Sequence, residues 1–318
     1  MNIERAICVV VLLICESLEA AELQTVQIKS SSDGKLQSAR LFVPDDARKS
    51  PAPLLVVLHT WSGNYKQKGF VEECLVECER RGWSLVHPDF RGPNLRPQAC
   101  ASDLAVQDVL DSVDYMKRGA KVDERRIYVV GASGGGHMTL VMATRAPQLW
   151  AGASAWVPIS DLAAWHGEAT NRKLKYAGEL EKICGGPPGK SDAVDEQYRR
   201  RSPLFHFDAA KGVSIDINAG INDGHTGSVL VSHSLLAFNR LADVNGKPQQ
   251  KLSADEIGTM TNERVIPKSL LGNVRVQEKR KHSVLFRRVA GPVRVTIFNG
   301  GHEGDMPTAI GWLATQSK

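Results

Sequence analysis

The chain has 318 residues, of which 42% are hydrophobic and 24% charged, and it carries a net charge of +5. Length and composition suit one large α/β domain, and the absence of internal repeats or low-complexity tracts excludes solenoid and fibrous proteins. The modest positive charge lacks the interleaved aromatic residues typical of nucleic-acid binding, so we expect no nucleic-acid partner.

The N-terminus resembles a secretory signal peptide over residues 1–20. Arg5 precedes an apolar run at residues 6–15, and small residues follow at Ala20 and Ala21. This run is too short to span a bilayer, which needs roughly 20 apolar residues. We therefore expect cleavage near Ala20, a secreted or periplasmic protein, and no stable membrane insertion after cleavage. A buried N-terminal strand or helix is the alternative.

The next predicted elements are a hairpin and the first units of a parallel sheet. Residues 25–29 and 36–43 read as antiparallel strands around a turn. Residues 54–58 form a continuous apolar run, typical of a strand that is covered on both faces. A helix is predicted at residues 70–81 and the next strand at residues 83–86. Strands that alternate with helices in this way indicate a mostly parallel sheet.

The most informative motif follows a predicted helix that begins at Ser102-Asp103. An apolar strand at residues 127–130 leads into Gly131-Ala132-Ser133-Gly134-Gly135, a G-x-S-x-G pattern, and a helical stretch follows at residues 138–145. Strand, sharp turn and helix are the context of a nucleophile elbow, and Gly131 and Gly135 lack the Cβ that would clash there. Ser133 is the candidate nucleophile. The alternative is a glycine-rich turn that binds a phosphate.

Two later strands end in loops that supply an acid and a base. The strand predicted at residues 213–219 precedes Asp223, and the one at residues 293–298 precedes His302. A nucleophilic serine needs a histidine to take its proton and a carboxylate to orient that histidine. The chain order Ser133, Asp223, His302 is the order found in α/β-hydrolases.

Other acids and histidines are assigned lesser roles. His225 lies two residues after Asp223 and is a weaker candidate base, Asp216 lies inside a strand, and Asp89 is expected to brace the Arg91 loop. His137 is expected to face the helix after the elbow or to line the site. The remaining histidines are assigned structural or surface roles: His87, His166, His206, His233 and His282.

An acyl-transfer site also needs two hydrogen-bond donors for the oxyanion. The amide of Gly134 is one candidate. The second is expected in the loop after the strand at residues 54–58, where the choice between the amides of Thr60 and Trp61 stays open. Trp61 could also form a wall of the acyl or alcohol pocket.

Two segments are longer than standard connections. Residues 165–198 are interpreted as a cap over the carboxyl edge of the sheet, and residues 243–288 as a hairpin or an extra lobe; solvated excursions are the alternative. Removal of the signal segment leaves four cysteines, and a disulfide between Cys100 and either Cys74 or Cys78 is expected, with Cys184 the fourth. The cysteine spacing does not favour zinc, and no metal or cofactor is predicted.

Five segments resemble the α/β-hydrolase superfamily, and in particular the catalytic domain of the prolyl oligopeptidase family and its single-domain esterase relatives. They are Pro88-Asp89-Phe90-Arg91-Gly92, Gly131-Ala132-Ser133-Gly134-Gly135-Gly136, Arg201-Ser202-Pro203, Gly220-Ile221-Asn222-Asp223 and Gly300-Gly301-His302-Glu303. The resemblance implies an α/β-hydrolase fold over residues 21–318, with a mostly parallel central sheet flanked by helices.

Two departures from the family favour an esterase over a peptidase. The residues between the signal segment and Pro51 are too few for the β-propeller that precedes the hydrolase domain in prolyl oligopeptidases. The loop at residues 60–63 stands where those enzymes tend to carry Tyr-Gly-Gly. The sequence thus predicts a secreted carboxylic ester hydrolase acting through an acyl-enzyme on a small-molecule or carbohydrate-linked ester.

Two other functions stay open. An exopeptidase with the same triad would need a carboxylate to hold a free amine, for which Glu168 and Glu303 are the nearest candidates. A non-catalytic binding module is the third hypothesis, against which the intact set of Ser133, Asp223 and His302 argues.

Overall fold

The computed structural model describes residues 22–272 and 279–318, which form nine strands and ten α-helices. The predicted signal segment, residues 1–20, lies outside the described residues. The strands are β1 (Gln24–Lys29), β2 (Leu36–Phe42), β3 (Ala52–Leu58), β4 (Ser84–Pro88), β5 (Val122–Ala132), β6 (Gly152–Trp156), β7 (Ile215–Gly220), β8 (Val284–Ala290) and β9 (Val293–Phe298). The helices are α1 (Asp45–Lys49), α2 (Phe70–Arg81), α3 (Asp103–Gly119), α4 (Gly134–Arg145), α5 (Leu162–Asn171), α6 (Tyr176–Cys184), α7 (Asp192–Arg201), α8 (Ser232–Val244), α9 (Ala254–Asn262) and α10 (Met306–Leu313).

All nine strands join one sheet in the order β1-β2-β4-β3-β5-β6-β7-β9-β8. The six strands from β4 to β9 in this order are parallel, whereas β1, β2 and β8 pair antiparallel at the two edges. This arrangement confirms the predicted mostly parallel sheet. Because the carboxyl ends of β3, β5, β7 and β9 meet at one edge, the loops that carry the candidate site residues converge there.

Helices cover both faces of the sheet, as its apolar strands require. Strand β3 is buried along its whole length, and its side chains alternate between two cores. Leu54 and Val56 pack in the core under α3, α4 and α8, and Leu55 and Val57 pack in the core under α2 and α10. This double cover explains the continuous apolar run that the sequence shows.

Helices α5, α6 and α7 form a small unit over the carboxyl edge of the sheet, which we call the cap. The cap has its own apolar cluster, which includes Leu162, Trp165, Ile183 and Tyr198, and that cluster extends to Trp61 in the loop after β3. The predicted insertion at residues 165–198 corresponds to this unit, although the helices begin three residues earlier and end three residues later. Residues 243–288 supply α9 and the edge strand β8, and residues 273–278 of that segment are outside the described residues.

The predicted disulfide is wrong. Cys74, Cys78, Cys100 and Cys184 are all free and buried. Cys74 and Cys78 belong to the core under α2, whereas Cys100 belongs to the cap cluster, so these thiols fill two separate apolar regions. Within the described residues, no helix combines the length and the apolar character needed to cross a membrane.

Candidate active site

Ser133 occupies the sharp turn between β5 and α4. Its φ is +59°, which is rare for a residue with a side chain, and its amide donates to the Trp156 carbonyl at 2.9 Å while its own carbonyl accepts from the His137 amide at 2.8 Å. A Cβ on Gly131 would collide with the backbone of Gly135, and a Cβ on Gly135 would collide with the Leu58 carbonyl, so each glycine has its own steric reason. The backbone thus holds the hydroxyl of Ser133 above the carboxyl edge of the sheet.

The structure brings the three sequence-predicted residues together in one hydrogen-bonded chain. His302 Nε2 lies 2.8 Å from Ser133 Oγ, and His302 Nδ1 lies 2.8 Å from Asp223 Oδ2. Since the carboxylate only accepts, Nδ1 carries a proton and Nε2 is left to accept the proton of Ser133. Asp223 is 1% exposed. Its second oxygen accepts from the backbone amides of Gly224 at 2.7 Å and Val229 at 3.3 Å, which fixes the orientation of the carboxylate.

Close backbone approach joins the aspartate and histidine loops. A Cβ on Gly220, the last residue of β7, would collide with the carbonyls of Gly300 and Gly301 in the loop after β9. The Asn222 amide donates to the Gly300 carbonyl at 3.0 Å. These contacts set the distance between Asp223 and His302 by main-chain packing, which side-chain motion does not alter.

The oxyanion donors predicted from the sequence are Gly134 and either Thr60 or Trp61. The Thr60 amide donates to Gln67 Oε1 at 2.9 Å, so it is already engaged. The Trp61 backbone nitrogen lies beside Gly134, where an added Cβ would collide with it. Among the described residues, the Trp61 amide has no acceptor. The geometry therefore favours the amides of Gly134 and Trp61 as the pair of donors.

A cavity of about 370 Å³ opens at Ser133 and His302. Phe70 and Val157 give it apolar walls, and Tyr176 of the cap and Glu303 contribute polar ones. Trp61, Trp156 and Trp165 are 2%, 1% and 1% exposed, so their rings fill cores and offer little free face to a ligand.

The carboxylates near the site already have cationic or hydrogen-bonded partners. Glu303 contacts Lys281 Nζ at 3.1 Å and His282 Nε2 at 2.9 Å. Burial alone would raise the pKa of the Glu303 carboxyl, but the bonds from His282 and Lys281 outweigh it, and the pKa lies below its ordinary value. Glu168, the second candidate for binding an amine, lies 3.3 Å from the buried His233.

The structure gives structural roles to the competing residues. Asp216 is fully buried in β7 and accepts from Ser154 and Asn218, and His137 is fully buried and donates to the Arg201 carbonyl. His225 contacts the Thr261 carbonyl at 2.7 Å, which ties its loop to α9. Asp89 braces the Arg91 loop through its carbonyl, which accepts from the Gly92 amide at 2.7 Å, while its side chain accepts from the Tyr65 amide.

Sequence reasoning missed three residues at this site. Ser228 Oγ lies 3.4 Å from His302 Nε2, Gln67 engages the Thr60 amide, and Glu179 of the cap accepts from the Trp61 indole. No motif marks any of them, because each is placed by a fold contact between distant segments. The described residues hold no group of three or more His, Cys, Asp or Glu side chains placed to bind a metal ion.

The fold and this site are those of a serine hydrolase with an α/β-hydrolase fold. The model of the prolyl oligopeptidase family matches residues 96–257, which is just over half of the chain and includes Ser133 and Asp223. The chain therefore belongs to the prolyl oligopeptidase family.

The proteins to which this chain is similar include peptidases and an esterase. The chain is 24% identical over 243 residues to acylamino-acid-releasing enzyme 2 of Oryza sativa subsp. japonica, which covers 71% of this chain and 30% of that protein. It thus spans less than a third of the length of that relative. Among solved structures, it is similar to the acylaminoacyl peptidase of Pyrococcus horikoshii, with a TM-score of 0.57, 21% identity and coverage of 73% of this chain and 36% of that one.

A thermostable esterase is similar over more of the chain. Its TM-score is 0.53 and its identity 18%, with coverage of 93% of this chain and 63% of the esterase. At these identities, the structural likeness establishes the fold alone.

Proposed function

We propose that this protein is a carboxylic ester hydrolase in which Ser133 is the nucleophile, His302 the general base and Asp223 the residue that orients the base. The observation that carries the proposal is the chain of two 2.8 Å hydrogen bonds from Asp223 through His302 to Ser133, at the floor of an open cavity. Each member comes from a different loop, so their convergence is a property of the fold.

The geometry supports a two-step acyl transfer. His302 Nε2 takes the Ser133 proton as Oγ attacks the ester carbonyl, and Asp223 stabilises the imidazolium that forms. The amides of Gly134 and Trp61 bind the oxyanion of the tetrahedral intermediate. His302 then gives its proton to the leaving alkoxide, which departs as an alcohol. Water, activated by the same base, releases the acid and regenerates Ser133.

The charges around the cavity favour a substrate without a free amine near the reacting carbonyl. Glu303 contacts Lys281 and His282, and Glu179 contacts Lys175 and the Trp61 indole. A substrate ammonium would have to displace one of these partners. An ester, whose acyl side is uncharged, requires no such exchange.

A peptidase that acts on blocked N-termini is the second candidate. The relatives named acylamino-acid-releasing enzyme and acylaminoacyl peptidase favour it. An acylated amino terminus is uncharged, so the same cavity charges suit it as well as they suit an ester. An exopeptidase that binds a free amine is less compatible with the pairing of Glu168 and Glu303.

We further propose that the protein is exported, on the basis of the signal-like segment at residues 1–20. A carbohydrate-linked ester would be favoured by exposed tryptophan rings at the cavity, but Trp61, Trp156 and Trp165 are buried and give that leaving group little support. We therefore define the substrate by its uncharged acyl side and leave the alcohol open.

The test compares three chromogenic substrates with matched chemistry. These are p-nitrophenyl acetate, N-acetylalanyl-p-nitroanilide and alanyl-p-nitroanilide, each assayed with the wild type and with Ser133→Ala. Ester turnover that disappears in the variant, with slow or absent anilide turnover, supports the esterase. Faster turnover of the acetylated anilide than of the ester would replace it with the acylaminoacyl peptidase. Preference for the free amine, or full activity of Ser133→Ala, would contradict the proposal.

A further inference from the structure

Trp61 connects the loop after β3 to the cap. We call this loop, residues 59–63, the oxyanion loop. Its backbone amide lies beside Gly134, while its indole Nε1 donates to Glu179 Oε2 of α6 at 2.8 Å. The indole packs edge-on against Trp165 of α5, with ring centroids 4.7 Å apart. Trp61 therefore supplies a candidate oxyanion donor with its backbone and contacts the cap with its side chain.

The main chain around Trp61 is restrained at each neighbouring group. The Thr60 carbonyl oxygen lies 2.8 Å from His59 Nδ1, and the Trp61 carbonyl accepts from the Asn94 amide at 2.9 Å. In a trans peptide the carbonyl and the following N–H point in opposite directions. Since the Thr60 carbonyl faces His59, the Trp61 N–H points away from it. The side chain of Trp61 is a further contact that holds this peptide group in place.

Glu179 holds that side chain with a carboxylate that is itself fixed. Its other oxygen, Oε1, pairs with Lys175 Nζ at 3.2 Å, and the side chain of Glu179 is 12% exposed. Lys175 also donates to Ser62 Oγ at 3.3 Å, next to Trp61 in the chain. A hydrogen bond to a carboxylate is stronger than one between neutral groups. Glu179 and Lys175 thus form hydrogen bonds to two consecutive residues of the oxyanion loop, Trp61 and Ser62.

We infer that Glu179 is a positioning residue for catalysis: through the Trp61 indole it fixes the Trp61 amide at the place where the oxyanion forms, so the cap takes part in the reaction. This inference rests on the proposed acyl-transfer function. An oxyanion donor acts in the transition state more than in the ground state. Loss of Glu179 should therefore lower kcat and leave KM nearly unchanged.

The test uses two substitutions at position 179 and a matched control on the same helix. Glu179→Ala removes the acceptor, whereas Glu179→Gln keeps an oxygen for the indole. Glu181→Ala removes a carboxylate of α6 that pairs with His166 at 2.9 Å and does not contact Trp61. With p-nitrophenyl acetate we expect kcat to fall about tenfold in Glu179→Ala, less than the roughly 10²- to 10³-fold for outright loss of an oxyanion donor, because the Trp61 amide is displaced and not removed. We expect Glu179→Gln to recover most of it and Glu181→Ala to stay near the wild type.

A double-mutant cycle separates positioning from general stabilisation. Trp61→Phe removes the indole N–H and keeps an aromatic ring. If Glu179 acts through this bond, Glu179→Ala should have little further effect on kcat in the Trp61→Phe background. Unchanged kcat in Glu179→Ala, or losses that simply multiply in the double variant, would overturn the inference. If Glu179→Ala does not fold, Glu179→Gln and Trp61→Phe decide: the inference then requires a lower kcat in Trp61→Phe alone.

A second readout distinguishes failure of this inference from failure of the proposed function. A fluorophosphonate probe reacts with an activated serine through an oxyanion-like transition state, and its labelling rate needs no knowledge of the natural substrate. Slower labelling of Glu179→Ala than of Glu181→Ala supports the inference. Equal labelling of both at Ser133 overturns it while the function stands. Absence of labelling at Ser133 in the folded wild type contradicts the proposed function itself.

Discussion

Ser133 and Gly134 show how closely the backbone is packed around the nucleophile. The positive φ of Ser133 is held by two main-chain hydrogen bonds, and Gly134 touches the backbone of Trp61. In this region any added atom must displace main chain, which cannot rotate away as a flexible side chain can. The proposed pair of oxyanion donors, Gly134 and Trp61, should therefore be sensitive to the addition of a single methyl group.

Gly134→Ala should disable the site without unfolding the protein. The new Cβ would push the Trp61 backbone away, and we expect kcat for p-nitrophenyl acetate to fall by about 10²-fold, as for loss of an oxyanion donor. The matched control is Gly167→Ala in α5, where an added Cβ meets nothing within 4 Å. That variant should keep its activity and gain up to about 1 kcal/mol in the free energy of unfolding. Equal kcat values for the two variants would contradict the packing argument.

Asp223→Asn should leave the fold intact and abolish most activity. The backbone amides of Gly224 and Val229 hold one carboxylate oxygen, so the carbonyl of an asparagine would keep these bonds and its NH₂ would face His302 Nδ1. A donor there selects the wrong tautomer of the imidazole. We expect kcat to fall by a factor on the order of 10³ to 10⁴, measured with p-nitrophenyl acetate. A variant that keeps more than half of the wild-type kcat would show that Asp223 does not orient the base.

The sequence predicts the candidate catalytic residues at strand ends better than it predicts the residues that hold the site in place. Ser133, Asp223 and His302 come from strand ends in a fixed chain order, so pattern and topology identify them together. The choice between Thr60 and Trp61 could not be made, because it depends on the side chain of Gln67. Glu179 lies 118 residues from Trp61 in the chain, and no local pattern reports such a contact.

At the scale of elements, a buried ion-pair network fastens the N-terminal hairpin to α3. Arg91 donates to Asp108 at 2.6 and 3.0 Å and to Asp33 of the β1–β2 turn at 2.7 Å. The hydrogen bond to Asp33 and that to Asp108 raise the pKa of the Arg91 guanidinium against the opposing effect of burial. Asp108 is 3% exposed, so its charge depends on this partner.

Asp108→Ala should therefore be destabilising. It removes one of the two carboxylates that pair with Arg91 and leaves Asp33 in place, and we expect a loss of about 1–3 kcal/mol in the free energy of unfolding, measured by urea titration. Glu124→Ala is the control, because Glu124 pairs with Lys117 on the surface and its side chain is 70% exposed. That change should cost less than about 1 kcal/mol. Similar losses in the two variants would refute the role assigned to burial.

Whether a segment forms a helix or a strand was easier to predict than where the element begins and ends. Helix α2 occupies the predicted residues 70–81, because an apolar face and a following glycine define it locally. Helix α4 begins at Gly134, four residues before the predicted start, because the elbow imposes helix on three glycines that propensity alone disfavours. Strand β8 extends past the segment predicted as a hairpin or an extra lobe, residues 243–288, and it pairs antiparallel with β9 across a turn of two residues.

At the scale of the whole molecule, buried neutral histidines make stability depend on pH. Burial lowers the pKa of His87 and of His137 to about 4, from an ordinary value of 6.5. The unfolded chain therefore binds protons near pH 6.5 that the folded chain binds only near pH 4. Between these values the unfolded state holds more protons, so stability falls as the pH is lowered through this window.

The expected slope is about 1.4 kcal/mol per pH unit for each such histidine. Urea titrations at several values between pH 7 and pH 4.5 measure it directly. His137→Gln keeps a donor for the Arg201 carbonyl and removes one titrating group, so its slope should be smaller than that of the wild type. An identical slope in the variant, or a wild type whose stability rises on acidification, would be inconsistent with these buried neutral imidazoles.

The predicted disulfide is absent from the described residues because the fold places the cysteines in separate apolar regions. Spacing along the chain shows which cysteines share a helix face, but it does not show which core each thiol enters. Cys74 and Cys78 enter the core under α2, and Cys100 enters the cap cluster. The even number of cysteines and the expected export favoured a disulfide. The fold, however, places Cys100 in a different apolar cluster from Cys74 and Cys78.

If Ser133 is the activated nucleophile of an acyl hydrolase, an active-site-directed reagent should label it covalently. The folded protein is incubated with a fluorophosphonate, digested, and mapped by mass spectrometry, with Ser133→Ala and a heat-unfolded sample as controls. We expect one adduct, on Ser133, that is absent from both controls. An adduct on another serine, or a folded wild type that remains unlabelled, would contradict the account.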